Sequence, residues 1–140
     1  MDVIGDIAAI RTPLPRPGEV TPEECFDDAR EQAEAARAED AAALEAQCDG
    51  LEEDALLLAL GNARARREAA DREIRHLLAY GREFHGRRAY GLDALAEASG
   101  MSISGVRTAY TPHEIDAVAR QIGRAPDSRR ARPPARADRS

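Results

Sequence analysis

From residue 21 to residue 84 the apolar positions recur at intervals of three and four, the spacing that lines side chains along one face of an α-helix. Thr21-Pro22-Glu23-Glu24 reads as a helix start. Thr offers an oxygen to the free amides, Pro suits the first helical position, and a Glu three residues on can reach back to the cap. The helix is predicted to run to about Gln47 with a stripe of Phe26, Ala29, Ala33, Ala36 and Ala43, interrupted by Asp40. Asp49-Gly50 supplies a turn, and Leu56, Leu57, Leu58 and Leu60 open a second apolar helix. Gly61-Asn62 either ends that helix or dents it. Beyond it, Ala63, Ala70, Ile74, Leu77 and Phe84 keep heptad spacing, with Arg67 and Gly81 at the intervening seam positions, and admit one long helix to about Phe84. Periodicity allows pairing of the two helices as a hairpin within one chain or as a coiled coil between chains. The weak alanine stripe of the first helix calls for support from a second chain, so a homodimer is expected.

Both ends of the chain differ from this middle. Residues 1–10 carry Val3, Ile4, Ile7 and Ile10, which fit one helical face or a docking peptide. Residues 11–20, RTPLPRPGEV, hold three Pro and a Gly, which prohibit regular structure and make an extended, stiff linker. From Arg124 to Ser140 the chain has 6 Arg against 2 Asp among Pro, Ala and Ser, the composition of a disordered basic tail.

The most specific stretch is residues 91–110, GLDALAEASGMSISGVRTAY. A helix from Leu92 to about Ser99 would turn Leu92, Leu95 and Ala96 inward. Gly100 can take the left-handed turn, and Ser102 can cap a second helix carrying Val106 and Ala109. A small residue four before the turn glycine, Ala96, lets two helices approach closely, and a hydrophobe six after it, Val106, plugs their shared core. A preceding helix over about Asp71–Phe84 and a following one opened by Thr111-Pro112-His113-Glu114, with Ile115, Val118 and Ile122 inward, would complete the unit. Gly105 stands inside the second helix of the pair, where it costs about 1 kcal/mol relative to Ala.

With these intervals, residues 70–123 resemble the helix-turn-helix family of bacterial DNA-binding proteins, in the manner of transcription factors and sigma-factor region 4. The resemblance implies that the second helix lies in the major groove of double-stranded DNA and that its first residues meet base edges. Carried onto this sequence, the exposed candidates are Ser102, Ile103, Ser104, Arg107 and Thr108. Arg107 alone can make a bidentate contact to guanine. Ser102 and Thr108 suit phosphates, and Ile103 suits either a thymine methyl or the protein interior. Arg87 and Arg88, between Gly86 and Gly91, and Arg82 one turn upstream would neutralise phosphates.

Charge sharpens this division of labour. Residues 1–60 hold 16 acids against 4 Arg, a net of -12, whereas residues 61–140 hold 10 against 16, a net of +6. That asymmetry points to a polyanion-facing C-terminal part and an acidic N-terminal part that either meets another protein, RNA polymerase or some other, or folds back over the basic part. An adaptor or antitoxin-like protein, acting through the acidic half, is the alternative to a DNA-binding regulator. Leu, Ile, Val and Phe together make only 24 of the 140 residues, too few for a deep core or a large buried cleft. No window approaches the ~20 apolar residues of a membrane span. Asp2 and Asp6 stand where a secretory signal needs positive charge, so a cytoplasmic protein is expected.

Other chemistry finds little support. His76, His85 and His113 are scattered, Cys25 and Cys48 have no partner at metal-ligand spacing, and the chain has no Lys for a phosphate loop. No enzyme activity, metal or cofactor is expected. The sequence therefore predicts an all-α protein: an N-terminal arm and Pro-rich linker over 1–20, an acidic helical oligomerisation or partner region over 21–69, a helix-turn-helix domain over 70–123, and an Arg-rich tail over 124–140.

Overall fold

All regular structure among the described residues of the computed structural model, residues 1–127, is helical. The helices are α1 (Val3–Arg11), α2 (Phe26–Leu51), α3 (Ala55–Glu83), α4 (Leu92–Ser99), α5 (Ile103–Thr108) and α6 (Pro112–Ile122), with 3-10 turns at Glu23–Cys25 and Gly86–Arg88. The predicted tail lies outside the described residues from Ser128 onward. Contacts divide the chain into two compact units, Met1–Arg66 and the part from Arg67 on. No described helix is long and apolar enough to cross a membrane.

In the first unit the N-terminal arm is a helix, because Asp2 accepts the Gly5 N–H at 2.9 Å and so caps α1. Ile7 of α1 is buried with Leu44 of α2 and Ala59 of α3, and Ile4, Cys48, Ala55 and Leu58 pack around them. The inward face of α2 follows the predicted stripe through Phe26, Ala29 and Ala33, which are half-buried, and then leaves it: Ala36 and Ala43 are exposed, while Arg37 and Asp40 turn inward. Arg37 donates to the carbonyls of Thr12 (2.7 Å) and Ala9 (3.4 Å), which the end of α1 leaves unpaired. Asp40 pairs with Arg11 at 2.8 Å. Asp40 thus interrupts nothing; it belongs to the face that holds α1. Pro-rich residues 13–16 adopt no regular structure, as expected of the linker.

Two predicted boundaries move, and the open reading at Gly61-Asn62 resolves to one continuous helix. The start of α2 is a 3-10 turn, and neither Pro22 nor Cys25 provides a side-chain cap, so the Thr21 capping motif is not used. Asp49 and Gly50 stay helical, and the chain reverses at Glu52, which takes a left-handed φ of 52°. Asp54 then starts α3 by accepting the Leu57 N–H at 3.0 Å. Gly61-Asn62 does not break α3. Asn62 instead donates to Gln47 of α2 (3.4 Å), so α2 and the first turns of α3 make a helical hairpin.

The second unit builds its core from Ala79 and Phe84 of the α3 end and Ile115 and Val118 of α6, with Tyr80, Tyr110 and Ala119 against them. α6 begins as predicted: Glu114 accepts both the Thr111 N–H (2.8 Å) and the Thr111 hydroxyl. That hydroxyl holds the Glu114 carboxyl below its ordinary range. Ile122, expected inward, is 43% exposed at the helix end.

Candidate nucleic-acid interface

The α4–α5 pair is set by three short-range interactions. Gly100 ends α4 in the left-handed region (φ 71°), a conformation that favours glycine, and sends its N–H to the Glu97 carbonyl. Ser99 steadies the turn by donating to the Ala96 carbonyl and accepting the Met101 N–H, both at 3.3 Å. Ser102 opens α5 by accepting the Gly105 N–H at 2.9 Å. Val106, one turn further, is fully buried. Leu92, Leu95 and Ala96 are half-buried.

Gly105 lies close under this cap. A Cβ there would come within 3.1 Å of the Ser102 hydroxyl, so the glycine lets the cap close tightly over the first turn. The close approach is local, within α5 itself.

The opposite side of α5 faces solvent. Ser102, Ser104, Arg107 and Thr108 are exposed, and Ile103 is 40% exposed, which leaves it outside the core. The hydroxyls are not equivalent. Ser102 accepts the cap bond and keeps its own proton to donate, whereas Thr108 donates toward the carbonyls of Ser104 (3.2 Å) and Gly105 (3.4 Å). Of the two, Ser102 is the better phosphate donor.

The upstream arginines separate as well. Arg87 and Arg88 are exposed on the 3-10 turn Gly86–Arg88, fixed by the Arg88 N–H on the His85 carbonyl (2.9 Å). The His85 ring sits edge-on between Tyr80 (4.8 Å) and Tyr90 (5.2 Å), with its Nε2 buried and unpaired. The Tyr90 N–H bonds the Gly81 carbonyl at 3.1 Å and ties the end of the turn back to α3. Arg82 is different: it is half-buried and directs its charge at the Tyr110 hydroxyl.

That hydroxyl belongs to the supporting structure that sequence reasoning missed. Tyr110 donates to Glu83 at 2.8 Å, and Glu83 is only 3% exposed. Burial, and then the Glu83 carboxylate, push the Tyr110 hydroxyl up to about 12. The Asp127 N–H bonds the Glu83 carbonyl (2.8 Å), and the Arg124 guanidinium lies 5.9 Å from the Phe84 ring centre. The signal in the sequence was a Tyr directly before the Thr111 cap and an acid at the end of an otherwise basic helix turn.

Among the described residues no three His, Cys, Asp or Glu side chains gather to hold a metal. Cys25 and Cys48 are free thiols. No family model, curated protein or solved structure matches the chain.

Proposed function

We propose that this chain is a sequence-specific DNA-binding protein, a small regulator of transcription that acts as a dimer and reads the major groove with α5. The observation that carries the reading is the α4–Gly100–Ser102–α5 geometry, in which Val106 fills the shared core while Ser102, Ile103, Ser104 and Arg107 stand out in solvent. Arg107 reads guanine, Ile103 meets a thymine methyl, and Ser102 together with Arg87 and Arg88 binds phosphates. In a dimer, two copies of α5 engage half-sites one duplex turn apart. Arg82 is left out of the contact set, since it is half-buried and its charge acts on the Tyr110 hydroxyl.

Selection from random duplex DNA by the full-length protein at about 0.15 M salt tests the reading, followed by titration of the enriched sequence against a scrambled one. An enriched motif with two half-sites is expected. Arg107→Ala should lose about 1–3 kcal/mol of discrimination at one base position while keeping non-specific affinity. Equal retention of all duplexes by the wild type would reject sequence-specific binding.

A further inference from the structure

Between α3 and α4 the chain closes on itself. The Tyr90 N–H bonds the Gly81 carbonyl at 3.1 Å, and the 3-10 turn Gly86–Arg88 lies inside the loop so formed. Gly86 takes a left-handed φ of 53°, and Gly86, Arg87 and Arg88 are all exposed. A turn of three exposed residues has few contacts of its own and opens readily. Neither Arg87 nor Arg88 forms an ion pair with any described residue, so both charges are free to meet a ligand.

His85 supplies the missing support. Its ring stands edge-on to Tyr80 of α3 (centres 4.8 Å apart, planes at 80°) and to Tyr90 beyond the turn (5.2 Å, 79°). Tyr80 is itself packed against the core of the second unit and stacks on Phe84. One side chain thus fastens both ends of the turn to a fixed ring. The support is packing and not a hydrogen bond, because the His85 Nε2 is buried and has no partner among the described residues. An enclosed Nε2 is also out of reach of a phosphate. The two edge contacts together are worth about a tenfold shift against opening of the turn.

We infer that His85 is the positioning residue of a phosphate-binding turn: wedged between Tyr80 and Tyr90, it holds Arg87 and Arg88 toward the DNA backbone. The inference rests on the DNA-binding reading for its ligand and names the side chain on which the phosphate contacts depend.

Titration of the full-length protein with scrambled duplex over a range of salt tests it. His85→Ala should make the slope of log affinity against log salt shallower by about 2 for each protomer bound, as two phosphate contacts are lost at about 0.9 each. In the Arg87→Ala, Arg88→Ala background it should change nothing further, since it acts through those residues. His85→Phe keeps the edge contacts and should keep the wild-type slope. Without DNA, amide exchange at Arg88 and Tyr90 should quicken about tenfold in His85→Ala and not in His85→Phe. Should His85→Ala lose helix content, His85→Leu, which fills the space without a ring, is read in its place. A slope unchanged by loss of the ring would overturn the inference, as would a further loss in the double-arginine background or a His85→Phe protein as impaired as His85→Ala. A wild type that holds scrambled duplex but enriches no motif would defeat sequence-specific reading and leave this inference standing. No binding even at low salt would overturn both.

Discussion

Glu83 is buried and Tyr110 is the group that makes its burial tolerable. A carboxylate removed from water needs a donor, and the phenol supplies one at 2.8 Å. Tyr110→Phe keeps the ring and removes that donor, so it should lower stability by about 1–3 kcal/mol in urea unfolding. The same bond predicts an alkaline limit. Tyr110 holds its proton more tightly folded (about 12) than at its ordinary value of 10.0. Its contribution is therefore complete below pH 10 and is lost as pH rises through about 12. Thermal unfolding of the wild type should fall across that window, and Tyr110→Phe should lack this part of the fall. An identical alkaline profile in the two proteins would assign the loss to other groups. The proposed DNA contacts lie on residues whose only local requirement is exposure, whereas Glu83 and Tyr110 are 27 positions apart and were invisible to any argument from spacing.

Two elements carry a mismatch between residue type and conformation, and both are open to improvement. The chain reverses at Glu52 with φ 52°, a conformation that glycine adopts freely and a residue with a side chain only at a cost, while Gly61 sits within a continuous helix with open space where a Cβ would be. Glu52→Gly and Gly61→Ala should each raise unfolding stability by up to about 1 kcal/mol, measured by urea denaturation. A loss in either case would mean that the side chain at 52, or the freedom at 61, is used by a partner. The same positions show what could be read beforehand. The pattern Ala63, Ala70, Ile74, Leu77 gave the long helix, and Ala96–Gly100–Val106 gave the α4–α5 turn, because both depend on local periodicity and turn chemistry. Asp49-Gly50 misplaced the hairpin turn, since Gly50 is accommodated in the helix and Asp54, a better cap, defines the next start. Asp40 stood out only as a break in the stripe and Arg37 gave no signal, because their partners, Thr12, Ala9 and Arg11, come from another helix and its end. A stripe drawn from hydrophobicity alone places such residues outside.

Across the whole chain, charge and packing assign different jobs to residues that composition groups together. The basic stretch begins, by sequence, at Arg124. Yet Arg124 lies against Phe84 and the Asp127 N–H bonds the Glu83 carbonyl, so residues 124–127 belong with the second unit. A truncation meant to remove only charge should therefore end at Asp127. Deleting Ser128–Ser140 takes away 5 Arg and 1 Asp, a net of +4, from a protein whose remaining second unit has 9 Arg and 9 acids between Arg67 and Asp127. If the chain binds DNA as proposed, that neutral body leaves base readout to Arg107 and Ile103, a few positioning phosphate contacts to Ser102, Arg87 and Arg88, and most non-specific attraction to the tail. The truncated protein should then bind enriched and scrambled duplexes more weakly by similar factors. Its slope of log affinity against log salt should become shallower by roughly 4, at about 0.9 for each phosphate the tail neutralises. Discrimination between the two duplexes should persist, because the groups that provide it are still present. A salt slope unchanged by the truncation would leave the whole of phosphate neutralisation with Arg87 and Arg88 and none with the tail. A protein that no longer discriminates would instead place base readout in the deleted residues.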